Sequence, residues 1–134
     1  MSPPAQPRVL LVEDEPLIRM MTTDMLDALG FAATEAATGA EALAIDDGAL
    51  AGLAGLVIDL GLPDHPGEEV ARRLRQRRPD LPVILTTGAD ASKALARLAG
   101  GGPAVALEKP YQFSELERAA GILAAVEASS HRRD

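Results

Sequence analysis

Short apolar runs alternate along the chain with segments of helical periodicity. Four of the runs are read as buried strands: residues 9–12, 56–58, 83–85 and 105–107. A further strand is predicted over residues 31–36, between two helical segments. This alternation is typical of a parallel sheet with helices on both faces. The pattern therefore predicts an α/β fold of five strand–helix units.

Local signals bound the first two helices. Pro16 suits the first turn of a helix, and Gly30 ends that helix after a series of apolar residues at helical spacing. Thr38 and Glu41 form a T-x-x-E capping box, which predicts a second helix that runs through about Leu50.

Capping signals also mark the later helices. A third helix is predicted to end before Pro79, and Asp90 is predicted to cap a fourth that ends at the glycines 100–102. Ser114 and Glu117 form a second capping box, which predicts the start of the last helix. The apolar positions of that helix are Leu116, Ala120, Leu123 and Val126.

Several further side chains are assigned by their surroundings in the sequence. The arginines between Arg72 and Arg78 are predicted to form a solvated helix face, and His65 is predicted to be exposed and neutral. Tyr111 and Phe113 are predicted as core residues, with a partner-binding face as the alternative.

Five polar residues sit at the end of an apolar run or just beyond one. They are Glu13, Asp14, Asp59, Thr87 and Lys109. Because the carboxyl ends of parallel strands meet at one edge of a sheet, these side chains should converge. Crowded carboxylates disfavour ionisation unless they share a cation, and oxygen-only ligands favour Mg²⁺, with Mn²⁺ as a substitute. A hydroxyl and a lysine beside them suit an incoming phosphoryl group, so the pattern indicates phosphoryl transfer to a carboxylate.

Composition narrows the class of protein. The 134 residues fit one domain, with 47% hydrophobic residues for a core, and only three residues are aromatic. The net charge of −7 disfavours nucleic acid as a partner, and the lack of cysteine excludes disulfides and thiolate sites. No apolar stretch could span a bilayer, and the N-terminus lacks a signal-peptide pattern. We therefore expect a cytoplasmic protein that does not bind a membrane.

Four segments together resemble the successive signatures of the response-regulator receiver domain. They are residues 9–16, 57–64, 85–88 and 108–111. The resemblance covers about residues 8–127, with 1–7 and 128–134 as flexible tails. It implies a flavodoxin-like, doubly wound (βα)5 fold whose five-stranded parallel sheet has the order 2-1-3-4-5.

The resemblance also implies a role for each residue at the site. Asp59 would be the phosphoacceptor, receiving its phosphoryl group from a histidine kinase or a histidine phosphotransfer protein, and Thr87 and Lys109 would contact that group. Magnesium would be held by Glu13 through water, by Asp14 and Asp59 through their side chains, and by the backbone carbonyl of Gly61. The peptide bond before Pro110 would be cis.

The sequence departs from the usual receiver pattern at three places. Glu13 replaces the commoner aspartate, and Ala106 stands where an aromatic switch residue is usual. The pair Thr87-Gly88 is similar to a subset of alphaproteobacterial receivers with a Thr-Gly motif. We hypothesise that Gly88 and Ala106 belong to a switch region in which residues 87–102 reorder on phosphorylation.

The implied function is a single-domain response regulator of a two-component or phosphorelay system. It would not be an enzyme, although it would assist its own phosphorylation and dephosphorylation. It would act as a monomer or weak dimer on a downstream protein that the sequence does not identify. One alternative is a receiver-like interaction module that needs no phosphorylation. The other is a phosphohydrolase of the haloacid-dehalogenase type, although its second aspartate would fall at Gly61.

Overall fold

The computed structural model describes residues 6–123. In chain order the elements are β1 (Arg8–Val12), α1 (Pro16–Ala28), β2 (Ala32–Ala36), α2 (Gly39–Leu43), α3 (Asp47–Ala51), β3 (Leu53–Asp59), α4 (Gly67–Arg77), β4 (Val83–Thr87), α5 (Ser92–Arg97), β5 (Ala104–Glu108) and α6 (Phe113–Ala119). The predicted boundary at 127, Val126 and the C-terminal tail lie outside the described residues, as do residues 1–5. None of the helices in the described part is long and apolar enough to cross a membrane.

The five strands form one parallel sheet in the order β2-β1-β3-β4-β5. Val12 pairs with Ile58 of β3, and Asp59 pairs with Thr86 of β4. The ends of the central strands therefore meet at the same edge. This confirms the predicted fold and strand order.

The two faces of the sheet carry separate cores. Alternate residues of each strand point to opposite faces, so that Leu56 and Ile58 join one core while Val57 joins the other. The first core contains residues of α2, α3, α4 and α5, and the second contains residues of α1 and α6. β3 is buried along its whole length, which makes it the centre of both cores.

The segment after Thr38 is two short helices and not one, so this prediction was wrong. Thr38 does cap α2, because its hydroxyl accepts a hydrogen bond of 3.1 Å from the Glu41 amide. Asp46 then caps α3 through a bond of 2.7 Å from the Ala49 amide. A side chain that can accept from the backbone two or three residues on favours a new helix start over continuation.

Two further capping predictions were also wrong. The cap position of α5 is Ala91, while the carboxylate of Asp90 accepts from the amide and hydroxyl of Ser92. The last helix starts earlier than predicted, because the Gln112 amide donates to the Glu115 carboxylate at 2.9 Å. Both helices start where a polar side chain already satisfies the nearby amides.

The arginines of α4 are not all solvated. Arg75 is only 7% exposed, and its guanidinium donates to backbone carbonyls of four residues. They are Leu81, Leu98, Gly102 and Pro103, at 2.8–3.0 Å. Burial lowers the pKa of Arg75 from its usual value. Because five donors in a planar fork suit several carbonyls, this arginine joins the end of α5 and the start of β5 to α4.

Candidate functional site

The site lies at the carboxyl edge of the sheet. Asp59 ends β3 and Thr87 ends β4, while Glu13 follows β1 and Lys109 follows β5. The Lys109 ammonium lies 2.9 Å from one carboxylate oxygen of Glu13 and 3.1 Å from one of Asp59. The fold therefore brings the charged residues predicted from the strand ends into one ion cluster.

Glu13 is the most deeply buried member of this cluster. The residue is 2% exposed, and its second carboxylate oxygen accepts from the Glu15 amide at 3.1 Å. Burial raises the pKa of Glu13, and the hydrogen bond from Lys109 opposes that rise. Both oxygens of this carboxylate are thus engaged by the chain.

Two opposing effects act on the pKa of Lys109. Its burial lowers the pKa of the ammonium, but the hydrogen bonds with Glu13 and Asp59 outweigh this effect and leave the pKa raised. Its amide donates to the Thr87 carbonyl at 2.7 Å, which joins the end of β5 to β4. The peptide bond between Lys109 and Pro110 is cis.

A third carboxylate, that of Asp14, lies close to the two that pair with Lys109. Glu13, Asp14 and Asp59 each contribute an oxygen that lies within 4.8 Å of the others. Such a set carries excess negative charge and offers only hard oxygen donors, which fits Mg²⁺. Gly61 lies beside these carboxylates, since its amide donates to an Asp59 oxygen at 3.2 Å. The residues present therefore fit a magnesium ion.

Thr87 is buried, and its hydroxyl oxygen accepts a hydrogen bond of 3.1 Å from the Ala89 amide. A hydroxyl that accepts in this way keeps its own proton free to donate. Gly88 has no positive φ, and a Cβ there would meet nothing within 4 Å. The backbone at this position therefore does not require glycine.

Ala106 is half-buried on β5 and lines a groove of about 280 Å³ between β5 and α6. Glu115 and Arg118 lie on the helical side of this groove. The small side chain of Ala106 thus leaves open space where a larger residue would project.

Two positioning residues were missed by the sequence analysis. A Cβ at Gly67 would lie 2.1 Å from the Asp59 carbonyl oxygen, so only glycine lets α4 start this close to the strand end. Arg19 of α1 donates to the Glu13 carbonyl at 2.7 Å and pairs with Glu35. The Pro66-Gly67 pair was visible in the sequence as a loop signal, whereas the contact of Arg19 is a tertiary one.

The two aromatic residues that were predicted to lie in the core differ in how deeply they are buried. Tyr111 is half-buried and its hydroxyl lies 2.6 Å from the Thr22 hydroxyl on α1. Phe113 is exposed at the start of α6, so the core prediction was wrong for it.

Comparison with known proteins places these observations in context. The family described as "Response regulator receiver domain" matches residues 9–121. The chain is 35% identical over 109 residues to the probable transcriptional regulatory protein TcrX of Mycobacterium tuberculosis, covering 81% of this chain and 45% of that protein. It is 37% identical over 110 residues to the sensor kinase CckA of Brucella abortus, covering 81% of this chain and 11% of that kinase. The chain thus spans less than half the length of either relative.

A solved structure is similar over most of the chain. It is the receiver domain of the sensor histidine kinase PA1611 from Pseudomonas aeruginosa, with a magnesium ion coordinated in its active site cleft. The two are 26% identical with a TM-score of 0.73, over 90% of this chain and 99% of that one.

We predict that Mg²⁺ stabilises the protein through Asp14. A roughly tenfold excess of Mg²⁺ over its dissociation constant should raise the free energy of unfolding by about 1.4 kcal/mol. Asp14→Asn should lose this gain, although without metal it should unfold no more easily, because one crowded carboxylate has been neutralised. Urea unfolding with and without Mg²⁺ measures both effects.

The matched control is Asp24→Asn, which removes an exposed carboxylate of α1 away from the cluster. It should keep the full response to Mg²⁺. An equal gain in Asp14→Asn and in the unaltered protein would contradict the assigned metal site.

Proposed function

Because this chain belongs to the response regulator receiver domain family, we propose that Asp59 accepts a phosphoryl group from a histidine kinase or a histidine phosphotransfer protein. The observation that carries the proposal is the position of Lys109, whose ammonium lies 3.1 Å from an Asp59 oxygen at the open end of β3. A phosphoryl group on that oxygen would lie within reach of the same ammonium. The signal then passes to a partner through protein contacts.

In the transfer, a carboxylate oxygen of Asp59 forms a bond to phosphorus while the bond between phosphorus and the donor nitrogen breaks. The electron pair of the broken bond stays on the donor imidazole. Mg²⁺ held by the side chains of Asp14 and Asp59, by the Gly61 carbonyl and, through water, by Glu13 would supply positive charge to the phosphoryl oxygens. Lys109 supplies a second positive charge, and the free proton of the Thr87 hydroxyl is available to another oxygen.

The surface of α1 next to the site fits a protein donor. Leu17 is 64% exposed, and Met20 and Met21 are also among the exposed large hydrophobic side chains of the described residues. Met21 lines a cleft with Lys109 and Tyr111, which makes the apolar surface continuous with the acceptor site. A donor that covers these side chains also brings its phosphohistidine to Asp59. We assign this surface to the kinase or phosphotransfer protein.

The output side differs from the usual receiver pattern. Since Ala106 has no ring to rotate, the proposed switch is a reordering of residues 87–102, which starts at Thr87 and includes the short helix α5. Arg75 holds the far end of this segment at the Leu98 and Gly102 carbonyls. The change is therefore expected between Thr87 and Arg97. That the receiver acts as a stand-alone protein stays a prediction, tested by the intact mass of the protein purified from its own cells.

We predict that acetyl phosphate with Mg²⁺ adds one phosphoryl group to the protein. Asp59→Asn should abolish this gain in intact mass, because the amide has no anionic oxygen to attack phosphorus. Asp24→Asn serves as the control and should be modified like the unaltered protein. Failure of every donor to modify the protein would favour an interaction module, and rapid multiple turnover of a phosphate ester would favour a hydrolase.

A second prediction concerns donor docking. Leu17→Glu and Met20→Glu should slow transfer from the kinase or phosphotransfer protein that labels the unaltered receiver fastest, by about tenfold or more, as expected when an interface anchor is lost. Transfer from acetyl phosphate should change by less than about twofold, since that donor needs no docking surface. Radiolabelled transfer assays measure the first rate, and intact mass the second.

Ala96→Glu is the control for this test, because it adds the same charge on the exposed face of α5 in the other helical layer. Docking elsewhere would be indicated if this variant slowed transfer and the two α1 variants did not.

A third prediction concerns the switch. Addition of Mg²⁺ and beryllofluoride, a phosphoryl mimic, should change amide hydrogen exchange between Thr87 and Arg97, because Thr87 gains a new partner there. Asp59→Asn should show no change under the same conditions. Unchanged exchange across this segment in the unaltered protein would refute the switch assignment.

A further inference from the structure

Tyr111 is the only tyrosine of the chain, and there is no tryptophan. Its hydroxyl lies 2.6 Å from the hydroxyl of Thr22, which is 1% exposed on the inner side of α1. Burial raises the pKa of Tyr111 from its usual value. The phenol thus forms a short, desolvated hydrogen bond to α1, between two residues that are 89 positions apart in the sequence.

This bond fixes residues 109–112, the segment between β5 and α6 that carries Lys109. The Lys109 amide is held by Thr87 on the side of β4, and the Gln112 amide is held by Glu115 within α6. Neither bond reaches α1. Among the hydrogen bonds of the described residues, the Tyr111 hydroxyl provides the link from this segment to α1.

Tyr111 packs against the core shared by α1 and α6, but this packing leaves part of the interface with α1 open. A cleft of about 310 Å³ lies between α1 and the segment, with Met21, Met25, Lys109 and Tyr111 among its walls. Open space on the α1 side leaves the segment room to shift when the hydroxyl bond is absent. A shift of the backbone at Lys109 would move its ammonium relative to Asp59, from which it now lies 3.1 Å.

We propose that Tyr111 is a positioning residue for phosphoryl transfer, whose hydrogen bond to Thr22 holds the Lys109 ammonium at Asp59. This inference rests on the proposed function of Asp59. The bond also joins the acceptor site to the α1 surface assigned to the donor, because Thr22 follows Met21 directly. A donor seated on α1 therefore contacts the element that sets the position of Lys109.

The test measures the second-order rate constant for phosphorylation by acetyl phosphate in Mg²⁺, with intact mass as the readout. Tyr111→Phe and Thr22→Val each remove one hydroxyl of the pair with little change of shape. Each should slow phosphorylation by about threefold to tenfold, the range expected for the loss of one ordinary hydrogen bond. The double variant should be no slower than the slower single variant, since both substitutions break the same bond.

Two variants serve as controls on α1. Thr22→Ser keeps the hydroxyl and should restore nearly the full rate. Thr23→Val removes a buried hydroxyl that has no hydrogen-bond partner in the described part of the chain, and should leave the rate unchanged. Urea unfolding of all variants separates a loss of stability from a loss of rate in the folded protein.

A second background shows whether Tyr111 acts through Lys109. In Lys109→Met, the further change Tyr111→Phe should alter the rate by less than about twofold, because there is no ammonium left to position. The same threefold to tenfold loss in both backgrounds would overturn the inference, since Tyr111 would then act on another group.

The failure of this inference is distinguishable from failure of the proposed function. An unaltered protein that is phosphorylated at the same rate as Tyr111→Phe and Thr22→Val overturns only the role of Tyr111. An unaltered protein that accepts no phosphoryl group overturns the function of Asp59 and the role of Tyr111 together.

Discussion

One ammonium group shared among crowded carboxylates is the constraint on which the rest of the site depends. Glu13 is almost fully buried and would be an uncompensated charge without Lys109, which lies 2.9 Å away. The same ammonium reaches Asp59, so one side chain neutralises part of two carboxylates. Asp14 adds a third negative charge within 4.8 Å. The excess of negative charge is what suits the site to a divalent cation.

The fold holds this unfavourable cluster through its packed sheet. β3 is buried throughout and carries Asp59 at its end, while Gly67 lets the next helix start directly against the Asp59 backbone. β1 and β5 bring Glu13 and Lys109 to the same edge from either side of β3 and β4. The two apolar cores thus fix the strand ends, and the polar side chains project from fixed points.

Much of this arrangement could be predicted from the sequence, because the informative signals are local. Four of the five strands contain a short apolar run, and Asp59, Thr87 and Lys109 stand at strand ends whatever the details of the helices. The predictions that failed depend on competition between neighbouring polar groups or on distant contacts. Asp46 divides the predicted second helix by offering its own cap, and Gln112 with Glu115 starts the last helix before Ser114 can.

Tertiary contacts account for the other differences. Arg75 looks like its exposed neighbour Arg73 in sequence, yet it turns inward because four carbonyls from the loop before β4 and the loop between α5 and β5 meet there. The pairing of Tyr111 with Thr22 likewise depends on how α1 lies against the segment after β5. No local pattern of apolar and polar residues contains that information.

The most direct measurement of the central claim identifies the phosphorylated residue itself. Borohydride reduces an aspartyl phosphate to homoserine, so the protein is treated with acetyl phosphate and Mg²⁺, reduced, digested and sequenced by mass spectrometry. The ion cluster around Lys109 predicts homoserine at position 59 and at no other aspartate. Homoserine at a different position, or none in protein that has gained a phosphoryl group, would contradict the assignment of Asp59 as the acceptor.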